Sequence, residues 1–263
     1  MNPVKVTYVS AFADNYIWFI HGLPEKHAEK QIIIVDPGDK TPVIEAIEEF
    51  AYIPKAIFIT HHHADHTAGV SDLVEKYQIP VYGPAQEYIP AITHKLKQDD
   101  AINFESMGLT FSILDLPGHT SGHIAYSGHG LLFIGDTLFA GGCGRIFEGT
   151  PKQMYHSLSK LLALDNTTNI YCAHEYTQDN LKFAQVVEPN NTYLLERIEQ
   201  TNKLRDKLHP TVPASLELEK QTNPFLRFNL DSVRLAAEDF AHKPLNTPAD
   251  VFKTVRYWKD TLD

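Results

Sequence analysis

A mixed α/β domain followed by an all-α domain is the fold class this sequence predicts, and three observations carry the prediction. Short apolar runs of strand length recur up to about residue 175, separated by polar, often Gly-containing segments. Past that point the apolar period becomes helical and the strand signals stop. Histidines and aspartates sit at the ends of several predicted strands, on the rim where α/β proteins build their sites. The boundary falls near Glu175, giving a first domain over 1–174 and a helical domain over 175–263.

Val4 to Val9 and Tyr16 to Ile20 are alternating or aromatic-rich, as strands are, and the continuous run Gln31 to Val35 stops at the turn signal Asp36-Pro37-Gly38. Thr41 and Pro42 read as the N-cap and first residue of a helix whose apolar face is Val43, Ile44, Ile47 and Phe50. A strand over Ala56 to Thr60 runs into a histidine cluster. Behind it, Val70, Leu73, Val74 and Tyr77 mark an amphipathic helix that begins near Asp65 or Thr67. Further strands are expected at Val81-Tyr82, Ile102 to Phe104, Leu109 to Leu116, His123 to Ser127, Leu131 to Gly135 and Asn169 to Ala173. Thr150-Pro151-Lys152-Gln153 supplies an N-cap, an N1 proline and a capping-box Gln to a helix whose apolar face is Met154, Leu158, Leu161 and Leu162. The helical part comprises Asp179 to Val187, Thr192 to Leu208, Asp231 to Phe240 and Pro248 to Leu262. Its last helix is opened by the cap Thr247, with acidic Asp250 in the first turn.

With 263 residues, 43% hydrophobic and 21% charged, the composition is globular and excludes a disordered or collagen-like chain. A formal net charge of -10 has the wrong sign for non-specific binding to nucleic acid or to an anionic membrane. No apolar run approaches the roughly 18 residues that cross a bilayer. Met1 to Ser10 lacks a secretory pattern, so a cytoplasmic protein is expected, and a monomer. Cys143 and Cys172 lack CxxC spacing and read as small buried hydrophobes.

Histidine is in excess, at 14 residues, several of them in Thr60-His61-His62-His63-Ala64-Asp65-His66. Within this segment His61, His63, Asp65 and His66 fit HxHxDH, a set of imidazoles and a carboxylate that suits Zn(II), Fe(II) or Mn(II). Ligands two apart leave an extended strand end while Asp65-His66 turns into a helix, a bend that can aim two ligand pairs at two metals. His119, Asp136 and His174 follow three further predicted strands and are additional candidates.

Taken in order and spacing, HxHxDH at 61–66, Pro117-Gly118-His119-Thr120, Gly135-Asp136-Thr137-Leu138-Phe139 and Ala173-His174-Glu175-Tyr176 resemble the metallo-β-lactamase superfamily. Within it they resemble the glyoxalase II, or hydroxyacylglutathione hydrolase, family, over essentially the whole chain. The resemblance implies an αββα sandwich followed by a helical substrate-binding domain. It implies two divalent metals, zinc first, with iron or manganese as alternatives. His61, His63 and His119 would hold one, Asp65, His66 and His174 the other, and Asp136 would bridge. Two divalent ions, two carboxylates and a hydroxide leave such a centre at about +1. The implied activity is hydrolysis of S-(2-hydroxyacyl)glutathione, such as S-D-lactoylglutathione, to glutathione and D-lactate by a hydroxide held on the binuclear centre. This is the second step of methylglyoxal detoxification. Asp65 and Asp136 would be the catalytic carboxylates, Asp65 orienting the hydroxide. A glutathione persulfide dioxygenase, with a single iron on the same scaffold, is the alternative.

The substrate side carries its own signals. Asn223-Pro224-Phe225-Leu226-Arg227 and Arg256-Tyr257-Trp258-Lys259-Asp260 resemble that family's C-terminal domain, where an Arg and a Lys three residues later hold the glutathione carboxylate. Arg256 and Lys259 share one helical face, with Val251, Val255, Trp258 and Leu262 packing inward. Tyr176 and Arg145 match glutathione-contacting positions, Arg145 in place of a commoner Lys. Phe147 stands where tyrosine is frequent, so one hydroxyl contact is lost. The loop Gly141-Gly142-Cys143-Gly144-Arg145 lacks a P-loop pattern and reads as close backbone approach to the ligand. His62 and His123 receive no proton-transfer role.

Overall fold

Ile32, Ile33, Ile34 and Val35 are all buried, as a strand covered on both faces must be. They belong to the first of two compact units in the computed structural model, which describes residues 3–262; positions 1, 2 and 263 of the predicted domains lie outside the described residues. The first unit comprises residues up to Asp115 together with Thr120–Gly135, and the second Leu116–His119 together with everything from Asp136 onward.

In the first unit, β1 (Val6–Ala11), β2 (Asn15–His21), β3 (Gln31–Val35), β4 (Ile53–Phe58), β5 (Val81–Pro84) and β6 (His94–Leu96) form one sheet in sequential order. The pairings β1–β2 and β2–β3 are antiparallel, and β3 to β6 run parallel. Helices α1 (Lys40–Phe50), α2 (Ala64–Thr67) and α3 (Val70–Tyr77) connect the parallel strands. Ile17, Phe19, Ile32, Ile34, Ile57 and Ile59 share one core with Val43, Ile47, Val70 and Leu73 of α1 and α3. The opposite face carries Phe58, which stacks on Tyr126 at 4.3 Å and meets Phe111 edge-on at 5.6 Å. These partners come from a second, antiparallel run of β7 (Ala101–Phe104), β8 (Leu109–Asp115), β9 (Ile124–Gly128) and β10 (Leu131–Gly135). Helices, sheet and sheet are therefore layered within this unit. Burial pushes the Tyr126 phenol up, with Asp36 reinforcing the shift, and its hydroxyl donates to the carbonyls of Ile59 and Tyr82.

The second unit holds the hairpin β11 (Leu138–Phe139) and β12 (Gly142–Cys143), α4 (Pro151–Leu161) and β13 (Asn169–Cys172). It continues with α5 (Thr177–Val187), α6 (Thr192–Arg205), β14 (Ala214–Ser215), α7 (Leu216–Thr222), α8 (Asp231–Ala241) and α9 (Pro248–Asp260). The Thr150 capping box and the Thr247 cap form as expected.

Several local expectations are corrected. The cap of α1 is Asp39, whose carboxylate accepts from Thr41 N–H, because an acceptor one position ahead of Lys40 reaches the second helical amide. The helix after the histidine cluster is split: Gly69 N–H donates to the Pro37 carbonyl, which separates α2 from α3. Strand pairing does not stop at residue 175, since Ala214 and Ser215 pair with Ile170 and Asn169. On α9, Phe252 joins Val251 and Val255 in the core, whereas Leu262 lies past the helix end and is 60% exposed.

His21 closes β2 with Nδ1 on the Glu29 carbonyl and Nε2 on the Thr7 hydroxyl. Burial lowers its pKa from the usual 6.5, against the opposing pull of the Glu29 carbonyl. The unfolded chain therefore takes up this proton first. The contribution of neutral His21 to stability is complete above about pH 6.5 and is lost as pH falls through the lower folded value. Urea midpoints measured from pH 7.5 to 5 should fall less steeply in His21→Gln than in the parent.

Candidate active site

In the first unit the ligand candidates hang on two adjacent strand ends and the turn that follows. Asp36, directly after β3, is buried with φ of 50°, and its Oδ1 accepts from Thr60 N–H at 2.8 Å. Its Oδ2 accepts from the Thr60 hydroxyl at 2.8 Å and stands 3.1 Å from His66 Nδ1. Thr60 Oγ1, its proton committed to Asp36, accepts at 3.0 Å from His61 Nδ1. His61 is thereby set with Nδ1 protonated and Nε2 left to bind, and His66 has the Asp36 carboxylate beside its Nδ1. His61 Nε2 faces His63 Nδ1 at 3.1 Å, and His66 Nε2 is 3.4 Å from Asp65 Oδ2. Asn15 Nδ2 donates to that same Asp65 oxygen at 3.1 Å. His123 stacks on His61 at 4.8 Å, and His62 turns to Glu87 at 3.0 Å.

In the second unit His119 Nδ1 donates to the Arg145 carbonyl at 2.8 Å, which leaves Nε2 directed at Asp136 Oδ2, 3.5 Å away. His174 Nε2 is 3.4 Å from the same oxygen. All three side chains are buried. Two ligand atoms that share a tetrahedral ion, each about 2.0–2.1 Å from it, stand about 3.3–3.4 Å apart. The separations within each unit match that spacing, and the donor set of imidazole and carboxylate suits zinc, iron or manganese alike. The residues fit divalent metal.

Around Asp136 the second unit opens a cleft of about 330 Å³. Its walls include His119, Asp136, Tyr176, Arg145, Phe147, Arg256 and Lys259, together with Phe139, Cys143, Asp179 and Asn180. Tyr176 stacks on the His174 ring at 4.7 Å and is 37% exposed, while Phe147 meets His119 edge-on at 5.3 Å. Arg256 and Lys259 lie on a buried face of α9, over the rings of Phe225 and Phe183. Arg256 also donates to the Cys143 carbonyl at 2.9 Å and to Asp260 at 2.8 Å, so part of its guanidinium is structural. Burial raises the pKa of the Cys143 thiol against the pull of Arg256, which keeps it a neutral wall residue and not a nucleophile.

The glycine loop differs from expectation. A Cβ on Gly144 would lie 1.9 Å from the Asp136 carbonyl, and one on Gly141, at φ of 72°, 2.7 Å from Leu181. The glycines admit protein backbone and side chains instead of ligand. Sequence reading passed over Asp36 as a turn residue and missed Asn15 and Asn180, whereas Cys143, expected as a buried hydrophobe in a loop at the ligand, is buried and forms cleft wall. A carboxylate ending a buried strand beside the strand that carries His61 is the signal for the first; the two asparagines had none.

Residues 175–262 match the family profile described as hydroxyacylglutathione hydrolase C-terminus, and residues 16–174 match the metallo-β-lactamase superfamily profile. A hydroxyacylglutathione hydrolase of Nitrosomonas europaea is 49% identical over 98% of this chain and 97% of its own length. The chain belongs to the hydroxyacylglutathione hydrolase family. Another member of that family, from Alkalilimnicola ehrlichii, is 48% identical over 97% of this chain and 98% of its own. Among solved structures, ETHE1 from Myxococcus xanthus superposes with a TM-score of 0.65 at 22% identity, covering 98% of this chain and 99% of that one. At that identity the likeness concerns the fold. This chain thus carries a metallo-β-lactamase domain followed by a helical hydroxyacylglutathione hydrolase C-terminal region. Among the described residues no helix is long and apolar enough to cross a membrane.

Proposed function

We propose that this chain hydrolyses the thioester of S-(2-hydroxyacyl)glutathione, with S-D-lactoylglutathione as substrate, to glutathione and D-lactate, the second step of methylglyoxal detoxification. The observation that carries the reading is the near full-length likeness to hydroxyacylglutathione hydrolases, joined to a cleft lined by His119 and Asp136 of the candidate ligand set and by three cations. In this reading two divalent ions, zinc by preference, would be held by His61, His63 and His119 and by Asp65, His66 and His174, with Asp136 as the carboxylate that would serve both. When bound, such ions supply a hydrolytic nucleophile at neutral pH and positive charge against which an acyl oxygen can develop its own.

The protein residues do the remaining work. Asp36 and Thr60 hold His61 in one tautomer, the Asp36 carboxylate also stands against His66, and Asn15 fixes the Asp65 carboxylate. Glutathione carries a net negative charge, so Arg145, Arg256 and Lys259 bind its carboxylates while Tyr176 offers a hydroxyl beside His174. A thiolate is a good leaving group and needs little proton donation. The working unit in this reading is a monomer. The thiols Cys143 and Cys172 form no disulfide, which suits a cytoplasmic, glutathione-reducing compartment.

The test is turnover of S-D-lactoylglutathione in air and under anaerobic conditions, with metals quantified on the same sample. Hydrolysis that is independent of oxygen, with about two metals per chain, is expected. Its absence at full metal loading would overturn the proposal, and oxygen uptake with glutathione persulfide would favour a dioxygenase instead. Lys259→Met should raise KM about tenfold, the loss of one charge-assisted contact of about 1.5 kcal/mol, with kcat little changed. Initial rates over a range of substrate concentrations decide this. Arg256→Ala should add a lower thermal midpoint, because the Cys143 carbonyl loses its donor.

A further inference from the structure

The hairpin between Asp136 and Arg145 is too short to hold its own shape. It has two residues per strand, with Leu138 opposite Cys143 and Phe139 opposite Gly142, and such a ribbon is not stable alone. Its tip is nonetheless buried, so each backbone polar group needs a partner. The helices provide them. Asn223 Nδ2 donates to the carbonyls of Gly142 at 2.9 Å and Phe139 at 3.2 Å, clasping both strands with one amide. Glu219 Oε2 accepts from Gly141 N–H at 2.9 Å and from Asn223 Nδ2 at 2.9 Å, and Asn180 donates to the Ala140 carbonyl at 3.2 Å. Asn223 is itself locked, its Oδ1 accepting from Phe225 N–H at 3.0 Å, and it is fully buried away from the cleft.

We propose that Asn223 is a positioning residue that shapes the substrate cleft by clasping the 138–143 hairpin, whose Phe139 and Cys143 form cleft wall. The proposal rests on the reading of that cleft as the glutathione site. Phe139 is the lever: its ring meets His174 and Tyr176 edge-on at 5.8 and 5.2 Å, so a shifted hairpin moves the surface that receives the ligand. Asparagine is the residue type required, since its planar amide nitrogen serves the two hairpin carbonyls and Glu219 with two hydrogens, one of them shared, while its oxygen accepts from Phe225 N–H. Aspartate in its place would set a carboxylate against two carbonyl oxygens.

The test compares Asn223→Ser, which can donate one hydrogen bond instead of two, with Thr222→Val. The latter removes a partner of Arg197 in the same buried network but no contact with the hairpin. Binding of S-methylglutathione to the metal-loaded protein is measured by calorimetry, KM and kcat by turnover, and amide exchange over 138–144 by mass spectrometry. The expected result for Asn223→Ser is binding at least tenfold weaker, KM raised more than kcat is lowered, and faster exchange in the hairpin. Thr222→Val should leave all three near the parent values. Asn223→Asp, if it folds, should be more severe. Equal losses in both variants, or parental binding in Asn223→Ser, would overturn the proposal. If the parent protein itself neither binds S-methylglutathione nor hydrolyses the thioester, the functional reading fails. The clasp is then judged on exchange alone, and unchanged exchange in Asn223→Ser refutes it.

Discussion

Asp136→Asn is expected to lose bound metal and thioesterase activity together. Asp136 Oδ2 lies 3.5 Å from His119 Nε2 and 3.4 Å from His174 Nε2, the separation of atoms that converge on one ion. Asparagine keeps the shape but removes the negative charge, and its amide nitrogen carries hydrogens where a ligand needs a lone pair. Loss of even an outer partner of a metal ligand costs about 10–100-fold in metal affinity or activity, so a residue that the proposed assignment shares between two ions should cost more than about a hundredfold. Metal analysis after gel filtration, paired with thioester turnover, reads both quantities. Full activity at full metal content would remove Asp136 from the ligand set.

The largest stability effect should come from Arg197→Met. Arg197 and Glu219 are a buried ion pair between α6 and α7, and Arg197 also donates to the Thr222 hydroxyl at 2.6 Å. Removing one partner of such a pair leaves a buried uncompensated charge and costs about 3–5 kcal/mol. For a chain of this size that lowers the thermal midpoint by roughly 10 °C. Replacing both residues by apolar ones is often nearly neutral in a buried pair. Here it should not rescue, because Glu219 also accepts from Gly141 N–H and Asn223. Thermal denaturation of Arg197→Met, Glu219→Met and the double variant tests this, and a double variant as stable as the parent would show that the hairpin contacts contribute little.

Much of the architecture was legible because its causes are local. The Thr150 box and the Thr247 cap are four-residue signals that close a helix end within their own turn, and both helices start where those signals stand. The run Gln31–Val35 and the segment Leu131–Gly135 are strands to the residue, since unbroken apolar runs ended by turn residues leave little choice. The misplaced cap at α1 is a contest between two adjacent acceptors, Asp39 and Thr41, that a sequence alone ranks poorly. The helix α7 went unpredicted although Ser215, whose side chain accepts from Leu218 N–H, is a readable cap. At seven residues it offers too few apolar positions for a period to emerge.

What the sequence determined on its own was the chemistry of the ligands. His61, His63, Asp65 and His66 are picked out by spacing within six residues, and His119, Asp136 and His174 by their places after predicted strands. Tertiary structure alone decided how the candidate residues are held: that Asp36 fixes Thr60 and stands against His66, that Arg256 divides its donors between Cys143 and Asp260, and that Asn223 spans a hairpin some 80 residues earlier. The reason is physical. A ligand type is a property of a side chain, and a short motif fixes its spacing, whereas a buried polar partner is chosen by whichever distant donor or acceptor the packed core brings within about 3 Å.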